Sequence, residues 1–246
     1  MTIFMSLQIY LDKSSNSTVR EAIFNYRLFY DIKIAAAKNN NDVQIYLPEI
    51  DNKGYDIIID DNDTLKPFQI KTVNKVNSNK AWENIHKTLI RPIGELSFLL
   101  YGEFSPATTG IQGGFILINP ILNKNKTDVQ VVYYYYTDIV LITCFSLGLI
   151  KKYKTSQTKA EIFLQELIKG KSHDKIEVPI HLMVKVEDAN SLLALCELHS
   201  IKQSSYLSNY LIRYLKAKEE KEKNDFIYLI KEFIRTTTND EKLEIL

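Results

Sequence analysis

The sequence has little cysteine, and it has no hydrophobic run long enough to cross a bilayer. Its only cysteines are Cys144 and Cys196, and neither has a second cysteine or a histidine at the spacing of a structural zinc site. Two isolated thiols are typical of a reducing compartment. The longest apolar run, 139–150, is about 12 residues, whereas a membrane-spanning helix needs about 20. The N-terminal 11 residues lack the basic segment of a signal peptide. We therefore predict a cytoplasmic protein that makes no membrane contact.

The net charge is also close to zero. The formal charge is +1, and neither residues 1–150 nor residues 151–246 are strongly basic. This excludes a protein that binds nucleic acid through bulk positive charge alone. The four histidines are scattered, and the sequence contains no Gly-x-Ser-x-Gly, Walker A or Gly-x-Gly-x-x-Gly motif. Triad hydrolases, P-loop NTPases and enzymes with a nucleotide cofactor are therefore disfavoured.

The order of predicted elements indicates an α/β fold. A hydrophobic fraction of 45% and a charged fraction of 25% are typical of a folded globular chain. Apolar periodicity predicts helices at 18–38, 80–100 and 138–149 and strands at 43–47, 55–60, 67–73, 113–119 and 129–136. In the first helix we expect one broad apolar stripe that contains Ile23, Tyr26, Leu28, Phe29, Ile32, Ile34 and Ala35. Closely spaced strands followed by a helical crossover predict a mixed sheet flanked by helices.

Beyond residue 155 the pattern is mainly helical. Helices are predicted at 158–169, 190–199, 204–223 and 225–235, with one strand at 175–185. We therefore divide the chain into a core at 1–155 and a mainly helical C-terminal lobe at 156–246. The lobe is a candidate for DNA binding or dimerisation.

The strongest chemical signal is an acid and a lysine on neighbouring strands. Asp56 lies in an apolar run, and Gln69-Ile70-Lys71 follows in the next predicted strand. Residues at i and i+2 of a strand share a face, so Gln69 and Lys71 project together while Ile70 points away. A carboxylate, an amide oxygen and an ammonium group at one place suit a hard cation with a positive group beside it.

These residues resemble the motif of the PD-(D/E)xK nuclease superfamily, whose restriction-endonuclease-like core has the order helix, three strands, helix, strand. The resemblance covers residues 18–136. It implies Mg²⁺-dependent hydrolysis of phosphodiester bonds in double-stranded DNA, with Mn²⁺ able to substitute. One site cuts one strand, so double-strand cleavage implies a homodimer.

The resemblance also implies a role for each residue of the site. Asp56 would be the acidic metal ligand, and Glu21 of the first helix a second one. Gln69 takes the place of the usual Glu or Asp, and the backbone carbonyl of Ile70 would complete the metal shell. Lys71 would orient or activate the attacking water. The departure is Gln69, which supplies a neutral oxygen and lowers the negative charge of the site.

Residues 176–218 show a second, weaker resemblance, to ribbon-helix-helix modules. Such modules dimerise through a strand and place it in the DNA major groove. The exposed strand face would then carry Lys175, Glu177, His181 and Lys185. The alternative is a helical lobe that packs on the core or on a second subunit. Trp82 and His86, one turn apart on the helix predicted at 80–100, face either DNA or the sheet.

We thus expect a Mg²⁺-dependent endodeoxyribonuclease, with a type II restriction endonuclease as its natural role. A second hypothesis is a catalytically inactive protein with the nuclease fold that binds DNA or has a regulatory role. It is favoured by Gln69, which weakens the metal site. A third hypothesis is a protein-interaction module with no nucleic-acid role, which the near-zero charge permits.

Overall fold

The structure is a computed structural model that describes residues 6–49, 54–73, 81–171, 173–202 and 205–245. The helices are α1 (Leu7–Asp12), α2 (Ser17–Lys38), α3 (Lys87–Ile90), α4 (Gly94–Tyr101), α5 (Ile139–Ser146), α6 (Ser156–Leu167), α7 (Ala189–Leu195), α8 (Leu207–Lys216) and α9 (Glu220–Thr237). The strands are β1 (Gln44–Tyr46), β2 (Ile57–Asp60), β3 (Leu65–Thr72), β4 (Ala81–His86), β5 (Gly114–Leu122), β6 (Val129–Asp138), β7 (Ile150–Lys151), β8 (Lys175–Pro179), β9 (Val184–Lys185) and β10 (Glu244–Ile245).

A six-stranded mixed sheet forms the centre of the fold. Its order is β1-β2-β3-β5-β6-β9. Neighbours are antiparallel except for β3 and β5, which are parallel. A parallel neighbour needs a long crossover connection, and the chain between β3 and β5 supplies it with β4, α3 and α4. The predicted mixed α/β fold with a helical C-terminal region is confirmed.

Both faces of the sheet are buried. Phe24, Leu28 and Ile32 recur at helical spacing along α2 and are buried. α2 contacts β3, and its Asp31 accepts a hydrogen bond of 2.6 Å from the Tyr134 hydroxyl of β6. On the opposite face Phe115 of β5 is fully buried, so a second layer covers that face as well.

The helix predicted at 80–100 is wrong in its first part. Residues 81–86 form β4, which pairs with β8 in an antiparallel arrangement. Trp82 and His86 are therefore on a strand and not one helical turn apart. The rest is divided into α3 and α4 at Arg91-Pro92, because a residue that precedes proline is disfavoured in the helical conformation. Arg91 accordingly has φ −53° and ψ 140°.

The strand predicted at 175–185 is also wrong as one continuous element. β8 ends at Pro179, a 3-10 turn follows at Ile180–Leu182, and β9 is only two residues long. Proline has no N–H to donate to a sheet, and this ends the pairing at that residue. β8 is paired with β4, so one of its edges is already occupied within the chain.

The C-terminal half of the chain contributes to the same core as the N-terminal half. β9 pairs with β6 in the main sheet, and β10 pairs with β7. Lys87 and the fully buried Arg91 donate to three carbonyl oxygens at the end of α6, those of Glu166, Leu167 and Lys169. Cations stabilise a helix C-terminus, so this contact attaches α6 to the segment after β4. No helix of the described ranges is both long enough and apolar enough to cross a membrane.

Candidate functional site

β2 and β3 bring the predicted acid and the predicted lysine strand together. The two strands are paired with Ile57 opposite Phe68, and Asp56 is the residue immediately before β2. The Asp56 N–H donates to the Phe68 carbonyl at 2.8 Å. The Ile70 N–H donates to Asp56 Oδ2 at 2.6 Å. The Asp56 side chain therefore accepts the hydrogen bond that a backbone carbonyl would accept if β2 continued alongside Ile70.

The Ile70 carbonyl points towards the same side of β3. Within a strand, the N–H and C=O of one residue point to the same side, and the next residue points to the other side. The Ile70 N–H points at Asp56, so its carbonyl oxygen also points to the β2 side of β3, beyond the last β2–β3 pair. The Asp56 carboxylate and the Ile70 carbonyl are thus on the same side of β3.

Gln69 supplies a buried oxygen that has no partner within the described residues. The residue is 6% exposed, and no hydrogen bond reaches its Oε1. A buried acceptor without a partner costs about 1–3 kcal/mol, so such atoms are uncommon unless a ligand or water completes them. Strand alternation places the Gln69 and Lys71 side chains on one face of β3, and Lys71 is half-buried.

Glu21 is placed differently from the other predicted ligands. It lies on the same side of α2 as the buried residues Phe24 and Leu28. That side of α2 covers the sheet face which carries Ile70 and Tyr134, whereas alternation puts Gln69 and Lys71 on the other face. Glu21 and the Gln69–Lys71 pair are thus on opposite faces of the sheet, and the role of Glu21 as a metal ligand stays a prediction.

Sequence reasoning missed two oxygen atoms on the α2 side of β3. Asn25, one turn after Glu21, has a buried Oδ1 without a hydrogen-bond partner in the described ranges, and the same is true of Oγ1 of Thr72. Thr72 follows Lys71 directly, so its position next to the motif was the one available signal. Asn25 follows Glu21 at i+4, the spacing of neighbours on a helix face.

The donor set fits a hard cation of modest affinity. Asp56 offers carboxylate oxygen, and Gln69 and Ile70 offer neutral oxygens, the ligand type that Mg²⁺ and Ca²⁺ prefer. The unpartnered Gln69 Oε1 is the observation that favours this fit. Among the described residues no cluster of three or more His, Cys, Asp or Glu side chains has a metal-binding arrangement. A metal here would thus depend on amide and carbonyl oxygens.

The predicted DNA-contacting residues of the C-terminal half do not share one strand face. Lys175 is on β8, His181 is in the 3-10 turn, and Lys185 is on β9. The His181 ring lies 4.2 Å from the ring of Tyr153. The Lys185 ammonium lies 3.8 Å from the ring centre of Tyr133. That prediction depended on one continuous strand that would enter the DNA groove, and the described part of the chain has no such strand at 175–185.

Both cysteines lie in the core and have no catalytic environment. Cys144 and Cys196 are buried and form no disulfide. Burial raises the pKa of both thiols well above the ordinary value, so the reactive thiolate is suppressed.

Comparisons of the chain with protein-family models, curated proteins and solved structures return no match.

Proposed function

We propose that this chain is a Mg²⁺-dependent endodeoxyribonuclease that hydrolyses phosphodiester bonds in double-stranded DNA. The observation that carries the proposal is the contact at the end of β2. There Asp56 accepts from the Ile70 N–H at 2.6 Å, and the residue before Ile70, Gln69, has a buried amide oxygen without a hydrogen-bond partner among the described residues. Asp56 and Lys71 are the residue types of the PD-(D/E)xK motif, and Gln69 takes the place of its usual Glu or Asp.

The residues of the site would divide the chemistry between them. Mg²⁺, when bound, would polarise a phosphoryl oxygen and lower the pKa of a water molecule. Asp56, Gln69 and the Ile70 carbonyl would hold the cation at the edge of β3. Lys71, on the same strand face as Gln69, would orient the attacking water and offset the negative charge that develops on the phosphate.

The finer proposal is a type II restriction endonuclease that works as a homodimer. Two copies would be needed because each site cuts one strand. A cytoplasmic location fits this role, since the DNA substrate is inside the cell. The PD-(D/E)xK family assignment belongs to the same proposal.

The experiment that tests the proposal is a cleavage assay on plasmid and phage DNA. The purified chain is incubated with Mg²⁺, with Mn²⁺, or with EDTA. We expect discrete fragments with either metal and intact DNA with EDTA, because the site needs a cation to bind phosphate. Cleavage that persists in EDTA would contradict the metal dependence. A smear in place of fragments would support a nuclease that is not sequence-specific.

The competing function is DNA binding on an inactive scaffold. The neutral Gln69 favours it, because the site has one negative charge fewer than a site with Glu or Asp. Calorimetry distinguishes the two functions. Tight binding of duplex DNA without any heat of Mg²⁺ or Mn²⁺ binding would replace the nuclease proposal with this one.

Gln69→Glu is expected to strengthen metal binding. The added carboxylate brings one more negative charge to the cation, and we expect the Mg²⁺ concentration for half-maximal cleavage to fall about tenfold. A Mg²⁺ titration of the cleavage rate measures this. Gln165→Glu on α6 is the control, because Gln165 is exposed and has no part in the site. An unchanged Mg²⁺ requirement in Gln69→Glu would show that this side chain does not contact the metal.

A further inference from the structure

α2 carries a second apolar stripe, on the side that faces away from the sheet. Its five members are between 39% and 67% exposed: Val19, Ile23, Tyr26, Tyr30 and Ile34. They recur at intervals of three or four residues, so they form a continuous line along one side of the helix. We call this line the outer stripe. The inner side of the same helix is occupied by Phe24, Leu28 and Ile32, which pack in the core.

The size of the outer stripe separates it from the usual scatter of exposed apolar residues. Single exposed apolar side chains are normal on protein surfaces, but contiguous patches of several hundred Å² mark interaction sites. Val19 and Ile34 are 15 residues apart, which corresponds to roughly 22 Å of helix. The ring of Tyr26 also packs edge-on against the ring of Phe29, with 6.2 Å between the ring centres, and this contact holds the side chain at the middle of the stripe.

Four of the five members of the outer stripe are spaced symmetrically about one point, and the fifth, Tyr26, lies next to that point. Val19 and Ile34 are equally far from the midpoint between residues 26 and 27, and so are Ile23 and Tyr30. If a second copy of the helix is placed antiparallel on the first, with a twofold axis at this midpoint, Val19 meets Ile34 and Ile23 meets Tyr30. Each pair then forms twice, as an isologous interface requires.

One edge of the stripe leaves room for this arrangement. Ala22 and Lys33 are both exposed and lie along that edge. The twofold axis places this edge of one helix next to the same edge of the other helix. Ala22 of one helix then lies about 3 Å, measured along the helix axis, from Lys33 of the other. The small alanine gives space to the apolar stem of the lysine. The Lys33 ammonium donates to the Val43 carbonyl of its own chain, so its charge is not forced into the interface.

The charges beside the stripe favour a protein partner over a lipid surface. A helix that lies on a membrane surface uses Lys and Arg side chains to attract anionic lipids. In α2 the Lys33 ammonium is engaged by a carbonyl, and Arg27, on the other edge, pairs with Asp31 at 3.0 Å. In the antiparallel pair the two Arg27 copies lie about 1.5 Å apart along the axis. The Asp31 charge weakens the repulsion between them.

We propose that the outer stripe of α2 is the interface of a homodimer in which two α2 helices pack antiparallel. The five side chains expose on the order of 500 Å² per chain, so two copies would bury about 1,000 Å², the lower limit for a specific interface. The flanking residues add to this area. The inference is independent of the nuclease proposal, because it uses only the surface of α2 that faces away from the sheet.

The first test is the oligomeric state of matched variants by analytical ultracentrifugation. The wild-type chain is expected to be a dimer at micromolar concentration. Ile23→Glu or Tyr30→Glu should raise the dissociation constant at least about 100-fold, because each buries an unpaired charge twice in the symmetric interface. Ile162→Glu on α6, which replaces a side chain that is 54% exposed, should leave the dimer unchanged.

Either of two outcomes would overturn the proposal. One is a monomeric wild-type chain at high micromolar concentration, in which case binding to anionic vesicles would show that a membrane covers the stripe. The other is a dimer that both α2 variants leave intact. Circular dichroism of each variant identifies a loss of folding, which would be a separate cause of monomerisation.

Disulfide trapping tests the antiparallel geometry directly. The double variant Ile23→Cys/Tyr30→Cys should form a covalent dimer under mild oxidation, because these positions are opposite each other in the proposed pair. Ile23→Cys alone should not, since the two copies of position 23 would be seven residues apart, about 10 Å along the axis. The native Cys144 and Cys196 are buried and do not interfere. Trapping by the single variant would indicate parallel helices and overturn the arrangement.

Discussion

Lys71→Ala is expected to abolish metal-dependent DNA cleavage while the fold stays intact. Lys71 is half-buried on the same face of β3 as Gln69, one residue beyond the Ile70–Asp56 contact. Removal of one group that stabilises transition-state charge typically costs about 100-fold to 1,000-fold in rate. The measurement is the initial rate of plasmid cleavage in Mg²⁺, together with thermal unfolding to establish that the variant is folded.

The matched control for this variant is Lys151→Ala. Lys151 is also a half-buried strand lysine, on β7, and its ammonium lies 3.3 Å from an exposed carboxylate of Glu244. Surface pairs of this kind contribute little to stability, and the residue is not on β3. We expect wild-type cleavage from Lys151→Ala. A folded Lys71→Ala protein that cleaves DNA at the wild-type rate would refute the proposed role of Lys71.

Lys66→Met is expected to destabilise the fold more than any surface substitution. The Lys66 ammonium donates to Asp138 Oδ2 at 3.0 Å, and the two side chains are only 4% and 2% exposed. The Tyr136 hydroxyl donates to the same oxygen at 2.7 Å. Asp138 Oδ1 accepts from the N–H of Leu141 and so caps the start of α5. The substitution would leave the Asp138 charge buried without its cation.

The expected loss is about 3–5 kcal/mol of the free energy of unfolding, the usual cost of breaking a buried ion pair by removing one partner. Urea-induced unfolding, followed by circular dichroism, measures it. Lys221→Met, an exposed position on α9, is the control and should change the stability by less than about 0.5 kcal/mol. A comparably small loss in Lys66→Met would show that the Lys66–Asp138 pair does not stabilise the fold.

The same pair predicts a dependence of stability on pH. Burial disfavours the charged form of Lys66, but Asp138, with a smaller contribution from Glu197, outweighs it and raises the pKa of Lys66 above its ordinary value. A raised pKa contributes stability that is fully present below the ordinary lysine pKa and is lost as the pH rises through the folded-state pKa. The difference between the wild type and Lys66→Met should therefore be constant near neutral pH and shrink in strongly alkaline solution.

Local pattern was sufficient for the centre of the candidate site. It predicts Asp56 and Gln69-Ile70-Lys71 on neighbouring strands because a hairpin pairs segments that are close in sequence. β2 and β3 are paired, and Asp56, one residue before β2, is hydrogen-bonded to Phe68 and Ile70 of β3. Side-chain alternation in a strand depends only on position, so it places Gln69 and Lys71 on a common face. The chemistry assigned to these residues stays a proposal.

Local pattern failed where a partner comes from a distant part of the chain. Residues 81–86 are β4 because β8, about 90 residues later, pairs with them. No window around Trp82 contains that information, and tertiary pairing overrides local propensity. The sequence also did not indicate which face of the sheet Glu21 would lie on, because the position of α2 depends on its packing against strands such as β6.

The helix α2 shows what each level determined. The sequence by itself determined a long helix, since apolar residues recur around it at helical spacing, and it determined the acid, amide and lysine of the β2–β3 hairpin. Its single predicted stripe mixed residues that the fold separates: Leu28 and Ile32 are buried, whereas Ile23, Tyr26 and Ile34 are exposed. A helix that is apolar on two sides carries no signal of which side faces the core. Only the tertiary structure decided this, because burial depends on the sheet that covers one side and leaves the other to solvent or to a second copy.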